Sequence, residues 1–183
     1  MRPERQMDTK EKILVGAKRL LLKKGQQGFT VRGVAEEAGV NHGLVHHYFG
    51  SKENMILEMI EYENCAIMPL LRQPEKTEDH EAFKEKFVQN VVKDPDKVRM
   101  IVEFYNMGQS LPAVREKLKE SIIKRREMMS QVFGITDEVD KKLFQALFFG
   151  SIMQTHVDDS VDFLQSLKRL MEIFCCGGQS KKD

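Results

Sequence analysis

The stretch from Phe29 to Met55, FTVRGVAEEAGVNHGLVHHYFGSKENM, decides the fold of the first part of the chain. Thr30 and Asn41 are good N-caps, because their side-chain oxygens can accept hydrogen bonds from backbone N–H groups of a first helical turn. Gly39 favours a sharp corner, because glycine adopts the left-handed conformation without steric cost. The stretch therefore predicts two short helices, one on each side of Gly39, the second ending near Phe49.

Further helices flank this pair. Asp8 begins a helix with a regularly spaced apolar face, and Gly25 is predicted to end it. Ser51 caps a helix predicted to run from about Lys52 to Met68. Three helices joined by a tight corner are typical of a homeodomain-like helix-turn-helix head, in which the small residue Ala35 lets the helix axes approach.

The helix after the corner has two different faces. Val45 and Phe49 are predicted to pack inward, with Val34 and Val40, against the first helix. The opposite face carries four small or polar residues: His42, Gly43, His46 and His47. A helix with its N-terminal end toward DNA places such side chains against base edges in the major groove.

The charge is unevenly distributed along the sequence. The 183 residues contain 29 Lys and Arg and 28 Asp and Glu, a net charge of +1. Residues 1–56 hold ten of the basic and six of the acidic residues, a balance of +4, so residues 57–183 carry −3. A basic head on a mildly acidic body indicates a polyanionic partner for the head alone.

The composition is that of a soluble globular protein, with 41% hydrophobic and 31% charged residues. Three cysteines without a ligand-like spacing favour a reducing cytoplasm over a disulfide framework. No apolar run reaches the roughly 18 residues that a membrane-spanning helix needs, and the N-terminal residues lack the apolar core of a signal peptide. We therefore expect a cytoplasmic protein without a membrane partner.

The rest of the chain is predicted to be helical after a polar loop at residues 72–80. Asp94-Pro95 and Gly134 mark helix ends, and no stretch alternates with the period of a strand. The expected fold is all-α, with about nine helices in total. The predicted later helices span residues 81–93, 95–107, 112–133, 137–157 and 159–176.

Four features of the stretch from Phe29 to Met55 closely resemble the DNA-binding signature of the TetR family of transcriptional regulators. These features are Thr-x-Arg, Ala-x-x-Ala-Gly-Val, the pair Tyr48-Phe49, and Ser-Lys-Glu. His46 and Gly33 depart from the family's commonest residues. Beyond about residue 55 the likeness is one of length and helix count. The resemblance implies a helix-turn-helix DNA-binding domain at residues 1–52 and a ligand-binding and dimerisation domain at residues 53–183.

The resemblance also implies roles for individual residues of the head. Four residues match positions that contact DNA phosphates: Thr30, Arg32, Tyr48 and Lys52. Lys52 fits this role physically, because a cation in the first turn of a helix opposes the helix dipole and a bound anion offsets that cost. Five residues match groove-facing positions of the recognition helix: His42, Gly43, Leu44, His46 and His47. Histidines near phosphates are expected to strengthen binding as they gain charge at lower pH.

Met and Phe residues recur at helical spacing in the body. This pattern is typical of ordinary core packing, but thioethers and aromatic rings also suit a cavity for a small hydrophobic or aromatic effector. The resemblance implies such a pocket, which we predict is lined by Met59, Tyr62, Phe87, Phe104, Met107, Met129, Phe133 and Phe148.

The last two predicted helices carry long apolar stripes that one monomer would struggle to cover. Packed against their symmetry mates they would form a four-helix interface, as the resemblance implies, and Gly150 would allow close approach. The predicted interface residues are Leu143, Leu147, Ser151, Leu164, Leu167 and Met171. A homodimer would then hold a palindromic double-stranded operator and release it when the effector binds.

Other functions receive less support from the sequence. His42 and His46 could share a metal ion, but no acidic or cysteine partner lies beside them, so no metal or other cofactor is expected. No catalytic motif is present, so no enzyme activity is expected. Cys65 is interpreted as a small buried hydrophobe in preference to a redox-sensing thiol. The remaining alternative is a helical small-molecule or lipid-binding protein without operator binding.

Overall fold

The computed structural model describes residues 8–67 and 94–175, and all regular secondary structure in these two ranges is α-helical. The all-α prediction is confirmed. The described helices are α1 (Thr9–Gly28), α2 (Val31–Ala38), α3 (His42–Phe49), α4 (Lys52–Ile67), α5 (Pro95–Ser110), α6 (Pro112–Phe133), α7 (Glu138–Thr155) and α8 (Phe163–Cys175). The predicted loop at 72–80 and helix at 81–93 lie outside the described residues, as does Phe87.

Local capping explains where the helices of the head begin and end. Thr30 Oγ1 accepts a hydrogen bond from Gly33 N at 3.1 Å, and Asn41 Oδ1 accepts one from Gly43 N at 2.8 Å. Between them Gly39 adopts φ 65°, ψ 35°, the left-handed conformation that ends α2. The predicted corner is therefore confirmed, because each of these interactions depends only on residues close in sequence.

The stop predicted at Gly25 is confirmed as a break in α1, which then continues for a short further turn. Gly25 leaves the helix, with φ 63° and ψ −176°, but the helix resumes and ends at Gly28. Side chains distant in the sequence support this break: Arg99 Nη2 donates to Leu22 O at 2.6 Å, and Glu103 Oε2 accepts from Gln26 N at 2.9 Å. Backbone groups that the break leaves without helical partners are thereby hydrogen-bonded by charged groups.

The last helix begins later than predicted. Asp158 accepts hydrogen bonds from the backbone and hydroxyl of Ser160, and Asp162 accepts from the backbone N–H groups of Leu164 and Gln165. The first aspartate thus holds a turn and the second caps α8, so the helix starts at Phe163 instead of residue 159. The other predicted ends agree with the described helices within three residues.

The chain folds into two compact units. The described part of the first comprises residues 8–65 and 99–119, and that of the second comprises 66–67, 94–98 and 120–175. In the first unit α1 packs on α2 and α2 on α3, and Gly16 permits the close approach, since a Cβ there would lie 2.7 Å from Ala38 Cβ. In the second unit α7 packs on α8. Each unit has its own buried apolar core.

No helix in the described ranges is both long and apolar enough to cross a membrane.

Candidate nucleic-acid interface

Helix α3 buries two of its eight residues and exposes the other six. Val45 and Phe49 are 2% and 5% exposed and belong to the core of the first unit. Leu44 and Tyr48 are 38% and 42% exposed, although each carries a large apolar group. The exposed residues of α3 are His42, Gly43, Leu44, His46, His47 and Tyr48. The helix is thus anchored by one face while the other stays open to solvent.

The exposed rings of α3 contact one another. The His42 and His46 ring centroids lie 4.9 Å apart with the rings nearly perpendicular, and His47 lies 5.3 Å from Tyr48 in a similar arrangement. His46 Nδ1 also lies 3.4 Å from the Gly50 carbonyl oxygen. Imidazole nitrogens can donate or accept hydrogen bonds, so this face can address both base edges and phosphates.

The histidine pair has no third ligand for a metal within the described residues. No group of three or more His, Cys, Asp or Glu side chains in this part of the chain is arranged to hold a metal ion.

The residues predicted to contact phosphates are also exposed. The Thr30 hydroxyl oxygen accepts from Gly33 N, which leaves its own O–H free to donate to an anion. Arg32 Nε lies 3.2 Å from Glu36 Oε1, and both side chains are largely exposed, so the pair is weak and exchangeable. Lys52 begins α4, and its Nζ lies 5.5 Å from the Phe29 ring centroid. All nine residues predicted to bind DNA are therefore solvent-accessible.

The residues predicted to line an effector pocket divide between the two cores. Met59, Phe104 and Met107 are buried in the core of the first unit, against which Tyr62 packs. Met129, Phe133 and Phe148 are buried in the core of the second unit. Sequence reasoning did not foresee this division, because helical spacing marks a residue as buried without indicating which core contains it.

Tyr62 has an altered acidity. The pKa of its phenol is raised, first by burial and then by the charge and hydrogen bond of Glu11, whose Oε1 accepts from the tyrosine hydroxyl at 3.3 Å. Two further ion pairs also join α1 to α4: Lys10 with Glu58 at 3.1 Å, and Lys18 with Glu63 at 2.9 Å. These contacts fix the orientation of α4 against α1.

Cys65 corrects the sequence interpretation. It is exposed at the end of the first unit, and its thiol lies 4.0 Å from Glu61 Oε1. The prediction of a buried small hydrophobe is wrong, because the position follows the polar side of α4.

Helix α7 exposes a row of apolar residues, whereas the exposed face of α3 is mostly polar. Val139, Leu143 and Leu147, each four residues apart, are 61%, 48% and 48% exposed. We call these three residues the α7 stripe. Gly150 lies close to the same stripe in sequence, and a Cβ there would meet nothing within 4 Å.

The remaining predicted interface residues differ in exposure. Leu164 on α8 is 54% exposed, and Ser151 is half-buried with its hydroxyl donating to Leu147 O at 2.9 Å. Met171 is half-buried, whereas Leu167 is buried in the monomer's own second core.

Comparison with known proteins finds similarity mainly in the helix-turn-helix part of the chain. Residues 13–59 match the family model of bacterial regulatory proteins of the tetR family. Over these residues the chain is similar to the TetR family.

Two relatives match this chain over part of their length. The HTH-type transcriptional repressor AcnR of Corynebacterium glutamicum is 38% identical over 52 residues, which are 28% of each chain. The HTH-type transcriptional regulator BetI of Agrobacterium fabrum is 30% identical over 115 residues, covering 60% of this chain and 54% of BetI. The chain thus spans between about a quarter and about half the length of these relatives.

The likeness of fold extends further than the likeness of sequence. The crystal structure of the multidrug binding protein EbrR complexed with malachite green is similar with a TM-score of 0.72 and 18% identity. The similarity covers 94% of this chain and 99% of that chain. At this identity the comparison establishes the fold alone.

Proposed function

We propose that this protein is a sequence-specific DNA-binding regulator of transcription. One observation carries the proposal: α3 buries Val45 and Phe49 while its histidines remain exposed on the surface. A short helix anchored in this way can enter the major groove, where imidazoles read base edges. His42, Gly43, Leu44, His46 and His47 would face the bases, and Thr30, Arg32, Tyr48 and Lys52 would bind phosphates.

The regulator acts as a homodimer in this proposal. Leu143 and Leu147 of the α7 stripe, with Leu164 of α8, supply exposed apolar surface that a second copy can cover. The half-buried Ser151 and Met171 complete this interface, whereas Leu167, which the sequence also predicts there, packs in the monomer's own core. A twofold dimer presents two α3 helices, and these must be separated by about 34–36 Å to enter successive major grooves of a palindromic operator.

Binding of an effector releases the operator. In this proposal residues 1–52 form the DNA-binding domain, and residues 53–183 form the ligand-binding and dimerisation domain. EbrR, which shares this fold, forms a complex with malachite green, an observation that favours a hydrophobic or aromatic effector. A ligand that prefers the released form shifts the population by its differential affinity, so the protein is a ligand-released repressor acting in the cytoplasm.

The experiment that tests this proposal is a gel shift and footprint on DNA flanking the protein's own gene. We expect a discrete complex that resists nonspecific competitor, with protection centred on an inverted repeat. A small-molecule or lipid-binding protein without operator binding would give no discrete complex, and that result would overturn the proposal.

A further inference from the structure

A cavity of about 390 Å³ lies in the first unit, where the last turn of α1, the first turn of α4 and the end of α5 meet. Small-molecule sites occupy about 300–1,000 Å³, so this cavity suits a small ligand. Of the predicted effector-pocket residues that the structure describes, Met107 alone lines it. The cavity is therefore different from the pocket that the sequence predicts.

One wall of the cavity is apolar. Ile56 and Met107 are 0% and 3% exposed and belong to the first core, and Leu111 packs against that core. All three line the cavity. An apolar group seated here would displace water from surface that the core already holds rigid.

The rim of the cavity carries two opposite charges. Lys52 and Glu53 both line it, as the first two residues of α4. Within residues 8–67 and 94–175 no ion pair involves either side chain. A ligand with a single charge would match one of these groups and desolvate the other without compensation.

We propose that this cavity binds a small zwitterion with an apolar side chain, that is, an apolar α-amino acid. Its carboxylate faces the Lys52 ammonium, its ammonium faces the Glu53 carboxylate, and its side chain lies against Ile56, Met107 and Leu111. The amide groups of Gln26 and Gln27, on the same rim, supply further hydrogen-bonding partners.

Occupancy of the cavity would also affect DNA binding, a consequence that rests on the function proposed above. The Lys52 ammonium would pair with the ligand's carboxylate instead of a DNA phosphate. The ligand's carboxylate and a DNA phosphate would compete for the same ammonium group. The amino acid and DNA would therefore weaken each other's binding by the same factor.

The test uses three probes that differ by one charged group: phenylalanine, 3-phenylpropanoate and 2-phenylethylamine. Calorimetric titration of the DNA-free protein should show saturable binding of phenylalanine and at least about tenfold weaker binding of the other two. Saturable binding of none of the three, or equal binding of all three, would overturn the proposal.

Variants locate the site. Ser110 lines the cavity and is exposed, so Ser110→Trp fills the cavity without removing a core residue. The matched control is Gln109→Trp, at an exposed neighbour that does not line the cavity. Phenylalanine binding should be lost in Ser110→Trp and retained in Gln109→Trp, with both variants keeping the thermal midpoint of the wild type. Unchanged binding in Ser110→Trp would contradict the assignment.

Glu53→Gln tests the charge argument. This variant should lose the preference for phenylalanine over 3-phenylpropanoate, a change in specificity that a merely structural role would not produce. A retained preference would contradict the zwitterion assignment. Since all of these titrations are done without DNA, their outcome is independent of whether the protein binds an operator.

Discussion

Helices α3 and α7 both expose a long face to solvent, but the chemistry of the two faces is opposite. The exposed face of α3 carries three histidines and a tyrosine, with Leu44 as its one exposed aliphatic side chain. The α7 stripe carries Val139, Leu143 and Leu147. A polar face is stable in water and is suited to a hydrated, charged partner, whereas a row of exposed aliphatic side chains gains free energy when another apolar surface covers it. The comparison supports the proposal that α3 binds DNA and that α7 packs against a second copy of the chain.

The largest expected effect is the loss of the dimer on changing the α7 stripe. The double variant Leu143→Glu, Leu147→Glu places two carboxylates where an apolar interface is proposed. We expect the dimer dissociation constant to rise by about 100-fold or more, because unpaired carboxylates are costly to bury. Analytical ultracentrifugation measures this dissociation constant. Lys124→Glu, at an exposed residue of α6, changes the net charge by the same amount and is the control for charge alone. An unchanged dimer in the double variant would remove α7 from the interface.

The next effect concerns the polar face. His42→Ala and His46→Ala should each weaken operator binding by about tenfold, since a base-edge contact contributes about 1–3 kcal/mol. Fluorescence anisotropy on an operator fragment at fixed salt measures this loss. His156→Ala, at an exposed histidine after α7, should bind as the wild type does. Equal affinity for the α3 variants and the control would contradict the assignment of α3 to DNA.

A smaller effect, on stability, concerns the hydrogen bond that Glu103 accepts at the break in α1. In Glu103→Ala the Gln26 N–H at the break in α1 loses its acceptor. We expect the free energy of unfolding to fall by about 1.5 kcal/mol, the lower end of the range for a hydrogen bond to a charged group. Urea denaturation measures the free energy of unfolding of the variant and the wild type. Glu116→Ala removes a largely exposed ion pair with Lys119 and should change the stability by less than about 0.5 kcal/mol. Equal stability of the two variants would mean that Glu103 does not support the break.

The smallest effect concerns the cap of α7 and depends on pH. The pKa of Asp137 is lowered by hydrogen bonds from the backbone N–H groups of Asp140 and Val139. A carboxyl whose pKa is lower in the folded state stabilises the fold above its unfolded pKa and loses that contribution as pH falls through the folded pKa. Asp137→Ala should therefore lower the thermal midpoint near pH 7 by about 2–4 °C.

The same variant should approach the wild type in acid. Differential scanning calorimetry at several pH values measures the difference in thermal midpoint, which should shrink as the cap is protonated. Asp159→Ala, an exposed acid in the turn before α8, should show no such trend. A constant difference between Asp137→Ala and the wild type down to pH 3 would contradict the role of the charged cap.

Much of the head could be predicted from the sequence, because its signals are local. Thr30, Gly39 and Asn41 each act on residues within five positions, and the structure places all three as predicted. The exposed face of α3 also follows from helical spacing, once Val45 and Phe49 are assigned to the core.

The features that escaped prediction depend on distant residues. The short continuation of α1 past Gly25 is hydrogen-bonded by Arg99 and Glu103, which lie 77 positions from their partners. The contact of Gly16 with Ala38 arises only when α1 packs on α2, and no signal near either residue in the sequence indicates it. The division of the predicted pocket residues between two cores likewise depends on packing, which spacing within one helix does not encode.

The most direct test of the central claim is in vitro selection of DNA sequences with the wild type and with His46→Ala. If the exposed face of α3 reads bases, the wild type selects an inverted repeat, and the variant relaxes the preference at the same position of both half-sites. Selection of an identical sequence, with equal strength at every position, would contradict the account.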